Sequence, residues 1–178
     1  MWKRLERKVI FKHPRITLLE DTVELPNGQT TDYLSFEHTN DSATVICLRG
    51  NEVLLSQEYS YPVDEILYQF PGGKISLDKK PEVEAARELQ EETGYIATDM
   101  ELLGWYYVDN RRTANRMYVF LTRDPSIGRK EGGDLEEDIT SKWVQATEIQ
   151  RMIQEGEITN YSVLAAWVLY QGKQAATS

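Results

Sequence analysis

Hydrophobic and polar residues alternate along the first half of the chain with the period of two that is typical of β-strands. The turn residues Pro26, Asn27 and Gly28 separate two such stretches, and they predict an antiparallel hairpin formed by residues 15–25 and 31–38. Further strands are predicted where an apolar or alternating run is bounded by turn residues. These strands cover residues 42–48, 52–59, 66–70, 100–108, 117–122 and 139–144.

The period changes from two to that of a helix at residues 81–93. Pro81 suits the first turn of this helix, and Gly94 suits the left-handed position after its end. Two later helices are predicted at residues 146–154 and 159–170, followed by a frayed tail from Gly172 onward. Strands, one helix, strands and then helices predict a mixed α/β or α+β layered fold.

The first predicted helix carries an acidic face. At about 100° per residue, its carboxylates fall within an arc of about 100°. They are Glu84, Glu88, Glu91 and Glu92. Val83, Ala86 and Leu89 lie on the other side and form the predicted core-facing stripe.

This acidic face costs stability, because like charges four residues apart each destabilise a helix by about 0.2–0.5 kcal/mol. Glu91 and Glu92 also lie near the helix C-terminus, where the helix dipole disfavours anions. Arg87 would offset part of the repulsion by pairing with Glu91. A hard divalent cation would offset more, since Mg²⁺ prefers carboxylate oxygens. The simpler alternative is an acidic face exposed to solvent.

Composition narrows the choice of partners. The net charge of −9 argues against a nucleic acid, but a small phosphorylated substrate bridged by divalent cations remains compatible with it. The chain has only two histidines, His13 and His38, so a catalytic mechanism based on histidine is possible but has few candidate residues. The single cysteine, Cys47, fits a reducing compartment, and no stretch reaches the roughly 20 apolar residues of a membrane span. We expect a cytoplasmic protein that binds neither nucleic acid nor membrane.

Residues 73–95, GKISLDKKPEVEAARELQEETGY, resemble the Nudix box, G-x5-E-x7-R-E-U-x-E-E-x-G-U, where U is a bulky apolar residue. The positions that match at the family spacing are Gly73, Arg87, Glu88, Leu89, Glu91, Glu92 and Gly94. Two positions depart from the pattern. Lys79 stands where the family has its first Glu, and Tyr95 occupies the final aliphatic position.

This resemblance implies the Nudix fold, a mixed sheet sandwiched between helices, here with an N-terminal antiparallel β-hairpin extension. Residues 1–40 would be that extension within the same unit, residues 41–172 the Nudix hydrolase domain, and residues 173–178 a tail. The implied reaction is hydrolysis of a nucleoside diphosphate linked to another moiety. The implied cofactor is Mg²⁺, with Mn²⁺ as a substitute.

The resemblance also implies roles for individual residues. Glu88 and Glu92 would ligate the metal, with the carbonyl of Gly72 as a further ligand. Glu91 would pair with Arg87 or act catalytically at the metal. In the ADP-ribose and nucleotide-sugar pyrophosphatase branch, a mobile acidic loop supplies another carboxylate, and Glu137 is its match as metal ligand or general base. The alternative for this loop residue is an ordinary solvated acid.

Residues 57–63 and 155–160 resemble the same branch, but some of its features are missing. Ser60 replaces an Arg, Gln69 replaces a Glu, and residues 106–112 lack a Pro found beyond the box. Three arginines are candidates for binding phosphate or a terminal ribose, because a guanidinium matches such oxygens bidentately. These arginines are Arg111, Arg112 and Arg116. The alternative is that they lie in a solvated loop and bind no ligand.

The branch resemblance implies a homodimer in which the N-terminal strands contact the partner subunit. Contact residues would include Trp2, Ile16, Leu18 and Leu19; the alternative is that the hairpin packs on its own sheet. A competing function is a nucleotide-sensing Nudix domain that binds without cleaving. Lys79 and the missing branch residues motivate it, and the intact Glu88, Glu91 and Glu92 argue against it. A purely structural module explains neither the paired glycines nor the clustered acids.

Overall fold

The computed structural model describes residues 1–129 and 139–177, which form two units. One unit comprises residues 1–40 and 107–116, and the other comprises residues 41–106 with the described residues from 117 onward. The elements are β1 Lys3–His13, β2 Ile16–Glu24, β3 Thr30–Phe36, β4 Asn40–Arg49, β5 Glu52–Ser60, β6 Glu65–Gln69, β7 Gly72–Ser76, α1 Pro81–Thr93, β8 Tyr95–Ile96, β9 Glu101–Tyr107, β10 Arg116–Arg123, β11 Ser126–Ile127, β12 Thr140–Gln145, α2 Ala146–Gln154 and α3 Tyr161–Thr177.

The N-terminal unit is built on an antiparallel sheet of order β1-β2-β3. The predicted hairpin is confirmed as β2 and β3. Strand β1 was not predicted, because its pairing with β2 is interrupted twice, between Arg4 and Glu6 and between Val9 and Phe11. Each interruption adds one residue to β1, so the side chains that follow it point to the opposite face of the sheet. The alternation of period two is therefore lost from the sequence.

The two faces of this sheet differ. One face of β2 is buried, and it carries Thr17, Leu19, Asp21 and Val23. On that face Arg7 of β1 donates two hydrogen bonds of 2.7 Å to the carboxylate of its cross-strand partner Asp21. The other face carries the cross-strand series Phe11, Leu18 and Phe36, and Phe11 and Phe36 on it are exposed.

The second unit is a mixed sheet between helices, as the sequence predicted. The strand order is β12-β5-β4-β10-β9, with β6 paired to β5, β7 paired to β4, and β10 parallel to β4. From Ala43 to Leu48, strand β4 is buried on both faces and apolar except for Thr44, as expected for a strand covered on both sides. Val45 and Cys47 pack in the core that includes Leu89 of α1, whereas Ile46 and Leu48 pack in the core that includes α2 and α3.

Helices α1 and α2 begin and end where the sequence predicted. The prediction of a frayed tail from Gly172 is wrong, because α3 continues to Thr177; residues 174–176 (Gln-Ala-Ala) are good helix formers. Strand β7 and the short pair β8 and β11 were not predicted. Strands β8 and β11 have two residues each, too few to display a period, and β7 begins with the two glycines that favour a turn. Among the described residues, no helix is long and apolar enough to cross a membrane.

Candidate active site

Helix α1 presents a different buried side from the one predicted. Val83 is exposed, and the buried residues of the helix are Ala85, Leu89 and Glu92. Ala85 and Leu89 pack in the core beneath the sheet. The predicted core-facing stripe of Val83, Ala86 and Leu89 is therefore wrong in its orientation. The buried side of the helix is rotated from it and includes Glu92.

Glu92 is a buried carboxylate that contacts the start of β7. Only 5% of it is exposed, and it accepts a 3.1 Å hydrogen bond from the backbone N–H of Gly72. A buried carboxylate is costly unless hydrogen bonds or a cation compensate for its lost hydration. This hydrogen bond was not predicted from the sequence, since the two residues are 20 positions apart and meet only because α1 packs on β7.

The two glycines at the start of β7 have separate structural reasons. Gly72 has a φ of +154°, and a Cβ there would lie 2.1 Å from the carbonyl oxygen of Ala43. A Cβ on Gly73 would lie 2.7–2.9 Å from the carboxylate atoms of Glu88. Gly72 thus lets β7 approach β4, and Gly73 leaves room for a metal-binding candidate.

Arg87 holds three of the acids on α1. It donates a hydrogen bond of 3.2 Å to Glu84 and one of 2.5 Å to Glu88, and it also donates to Glu91. Partial burial lowers the pKa of Arg87, but the charges of Glu88 and Glu91 and the hydrogen bonds raise the pKa more, so the net direction is upward. The predicted pairing with Glu91 is present, and it extends to two further acids.

The described residues supply two of the predicted metal ligands from side chains, Glu88 and Glu92. Within residues 1–129 and 139–177, no three Asp, Glu, His or Cys side chains are grouped to hold a metal ion. Glu137, the remaining predicted carboxylate, lies outside the described residues. Two carboxylates beside a glycine backbone form a set of hard oxygen donors, and this chemistry fits Mg²⁺ with its retained waters.

A narrow cleft opens beside Gly72 and Gly73 in the same unit. Its volume is about 170 Å³. Uncharged side chains supply most of its lining, which includes Ser42, Thr44, Gln69, Phe70, Met117 and Ser162. Sequence reasoning treated Gln69 only as a departure from the family pattern and did not select the others.

The candidate arginines lie in the N-terminal unit. Residues 107–116 pack against β3, where Tyr33 donates a 2.5 Å hydrogen bond to the carbonyl oxygen of Arg111 and the N–H of Phe36 donates one of 2.7 Å to that of Arg112. These contacts border a cleft of about 500 Å³. Its lining includes Arg7, Tyr33, His38, Asn110, Arg111 and Arg112.

Arg111 and Arg112 share this cleft but differ in their contacts. The guanidinium of Arg112 lies 5.9 Å from the centre of the Tyr33 ring and donates to the carbonyl oxygen of Leu34. In the described part of the chain, the guanidinium of Arg111 has no acidic partner, so its charge is available to an anion. Arg116 lies at the start of β10, half-buried, and is not among the described residues that line the cleft.

Comparison with protein families agrees with this architecture. The NUDIX domain model matches residues 38–167, and the model of the nucleoside diphosphate sugar hydrolase N-terminal domain matches residues 2–33. The chain therefore belongs to the Nudix family. The first match contains α1 with its acids, and the second covers β1 and β2.

Individual relatives cover different shares of the chain. The methanol dehydrogenase activator of Bacillus methanolicus is 35% identical over 57% of this chain and 55% of that protein. The ADP-ribose pyrophosphatase of Bacillus subtilis is 25% identical over 97% of this chain and 94% of that protein. A solved structure described as an ADP compounds hydrolase superposes with a TM-score of 0.91 at 17% identity, covering 99% of this chain and 96% of that one.

Proposed function

We propose that the protein hydrolyses the diphosphate linkage of a nucleoside diphosphate derivative with Mg²⁺ as cofactor. The products would be a nucleoside monophosphate and a phosphorylated second moiety. The observation that carries the proposal is the placement of Glu88 and Glu92 beside Gly72 and Gly73. When bound there, the cation would neutralise the diphosphate and make a coordinated water more acidic.

The residues of the chain would each have a distinct task. Glu88, Glu92 and the carbonyl of Gly72 would hold the cation, and the N–H of Gly72 would keep the Glu92 carboxylate in place. Arg87 would orient Glu88 and Glu91. Glu91 is the candidate proton acceptor at the site, and Glu137 remains a proposed ligand or base.

ADP-ribose and nucleotide sugars are the proposed substrates. Two relatives are named as ADP-ribose pyrophosphatases, and the N-terminal match is to a nucleoside diphosphate sugar hydrolase domain. The cleft with Arg111 and Arg112 offers the guanidinium chemistry that binds phosphate oxygens. We also propose a cytoplasmic location, since the single cysteine is free and buried.

The decisive experiment is a panel of nucleotide sugars and dinucleotides incubated with Mg²⁺, with the products identified by chromatography. Release of a nucleoside monophosphate supports the proposal. The alternative is a nucleotide sensor that binds without cleaving, which the exposed Lys79 favours because it removes one acid from the loop before α1. Tight binding without any product would establish the sensor instead.

Mg²⁺ should stabilise the folded protein. The cation would relieve repulsion among the acids of α1 in the native state, and a ligand at a hundred times its Kd adds about 2.7 kcal/mol to the free energy of unfolding. Thermal unfolding with and without millimolar Mg²⁺ measures this effect. An unchanged Tm at saturating Mg²⁺ would mean that the acids are merely solvated.

We further propose a homodimer formed by the exposed face of the N-terminal sheet. Phe11 is 54% exposed, Ile16 and Leu34 are each 42% exposed, and Phe36 is 38% exposed. A contiguous apolar patch of this kind marks an interaction surface, and β1 is a long strand at the edge of its sheet. Leu19, predicted from sequence as a contact residue, is buried on the opposite face.

Light scattering at micromolar concentration should give twice the 20.6 kDa mass of one chain. The double variant Phe11→Asp/Phe36→Asp should give the mass of one chain, because it places two charges within the patch. Val168→Asp is the matched control, since Val168 is an exposed apolar residue of α3. A wild-type mass near that of a single chain would refute the dimer.

A further inference from the structure

Gln69 presents its carbonyl oxygen as a hydrogen-bond acceptor. Its side-chain NH₂ donates a 2.7 Å hydrogen bond to the Glu58 carboxylate on the neighbouring strand. A carboxylate can only accept hydrogen bonds, so it fixes which end of the Gln69 amide points toward it. The amide oxygen is therefore turned away from Glu58 and can accept a hydrogen bond from a ligand in the cleft that Gln69 lines.

Ser162 also has its hydrogen committed elsewhere. Asn160 precedes α3, and its side-chain oxygen accepts hydrogen bonds from the N–H and the hydroxyl of Ser162, at 3.1 and 2.8 Å. This is the arrangement of a helix N-cap. Because the hydroxyl hydrogen points at Asn160, the lone pairs of the Ser162 oxygen are left to accept a hydrogen bond from a ligand in the cleft that Ser162 lines.

Thr44 repeats the pattern. It is 4% exposed, and its hydroxyl lies 3.5 Å from the carbonyl oxygens of both Phe70 and Pro71. The Ser42 hydroxyl can donate or accept. Lys74 is the charged residue among those that line the cleft, and it is exposed. Gln69, Ser162 and Thr44 can thus each offer an acceptor oxygen, while the possible side-chain donors are Ser42, the exposed Lys74 and the second N–H of Gln69.

We infer that this cleft binds the uncharged, hydroxyl-bearing sugar of the substrate, whose hydroxyl groups donate to Gln69 and Ser162. The inference rests on the proposed diphosphate hydrolysis and adds the specificity for the second moiety. The inference follows from the direction of the hydrogen bonds, since sugar hydroxyls can donate to the acceptor oxygens of Gln69 and Ser162 and can also accept from the donors beside them. Glu58 and Asn160 act as positioning residues that fix the polarity.

Other moieties fit the cleft less well. A phosphate oxygen could pair with the exposed Lys74, but it would also face the acceptors of Gln69 and Ser162, which repel it. A nucleobase would gain from an exposed aromatic face, but Phe70 is 3% exposed and packs against Trp167. The volume of about 170 Å³ is also below the roughly 300 Å³ of the smallest pockets for whole drug-sized ligands, so the cleft suits one moiety.

The test compares ADP-ribose with the β-methyl ester of ADP, which keeps the diphosphate and lacks the sugar. Both are assayed with Mg²⁺ on wild-type protein and on Ser162→Ala and Gln69→Met. Each variant should raise the KM for ADP-ribose about fivefold, the effect of one lost neutral hydrogen bond, while the constants for the methyl ester stay unchanged. Ser76→Ala, at the exposed end of β7, is the matched control.

A second measurement does not depend on turnover. Titration with ribose 5-phosphate should shift the side-chain amide resonances of Gln69, and methyl phosphate should not. The inference would be overturned by equal shifts with both ligands, or by variants that leave the ratio of the KM values for the two substrates unchanged. Neither outcome would contradict the proposed hydrolysis. If wild-type protein cleaves neither substrate, the proposed hydrolysis fails, and the ribose 5-phosphate shift alone decides whether the cleft binds a sugar.

Discussion

Glu92→Gln is expected to reduce hydrolysis with Mg²⁺ about a hundredfold or more. Loss of a residue that only supports a metal ligand costs 10- to 100-fold, and a direct ligand should cost at least the upper end of that range. The shape of the side chain is preserved, and the amide oxygen of Gln can still accept the hydrogen bond from the N–H of Gly72. The fold should therefore remain.

The measurement is kcat/KM over a Mg²⁺ series, with circular dichroism as the check on folding. Glu82→Gln is the matched control, because Glu82 is an exposed acid in the first turn of the same helix. Its activity should be close to that of the wild type. Full turnover by a folded Glu92→Gln protein would remove Glu92 from the metal site.

Gly72→Ala is expected to destabilise the fold by about 3 kcal/mol or more, which combines overpacking with a backbone conformation unfavourable to Ala. The new Cβ would lie 2.1 Å from the Ala43 carbonyl oxygen and 2.7 Å from the Thr44 Cα. Both are backbone atoms of the central strand β4, which cannot move aside without opening two cores. Urea unfolding followed by circular dichroism measures the loss.

Alanine substitutions at two other glycines separate the effect of overpacking from the effect of backbone conformation. Gly28 has a φ of +82° and open space around its Cβ position, so Gly28→Ala should cost only the conformational part, about 1 kcal/mol. Gly73→Ala would meet the movable end of Glu88 and should keep the fold while impairing hydrolysis. Equal losses in Gly72→Ala and Gly28→Ala would show that the approach to β4 is not tight.

Local signals explain which parts of the fold the sequence predicted. Pro81 and Gly94 mark the ends of α1 directly, and the acids between them keep a fixed spacing. The orientation of this helix was harder to predict, because apolar residues at 83, 85, 86 and 89 allow more than one core-facing side. The error placed Val83 inward and left Glu92 on the outside.

Contacts between distant segments could not be predicted. The hydrogen bond between Glu92 and Gly72 depends on how α1 packs on β7, and β7 itself gave no periodic signal. The acceptor polarity of the cleft depends on the pairing of β5 with β6, which brings Glu58 to Gln69. The acids could thus be identified from spacing alone, but their partners required the tertiary structure.

The burial of β4 on both faces also determines the chemistry of Cys47. The residue is fully buried, and burial raises the pKa of its thiol to about 12. The thiolate is the reactive form of cysteine, so Cys47 should not react with oxidants or alkylating reagents while the sheet remains folded. The single cysteine of the chain therefore serves as an internal reporter of unfolding: each modified thiol records one opening of the central sheet.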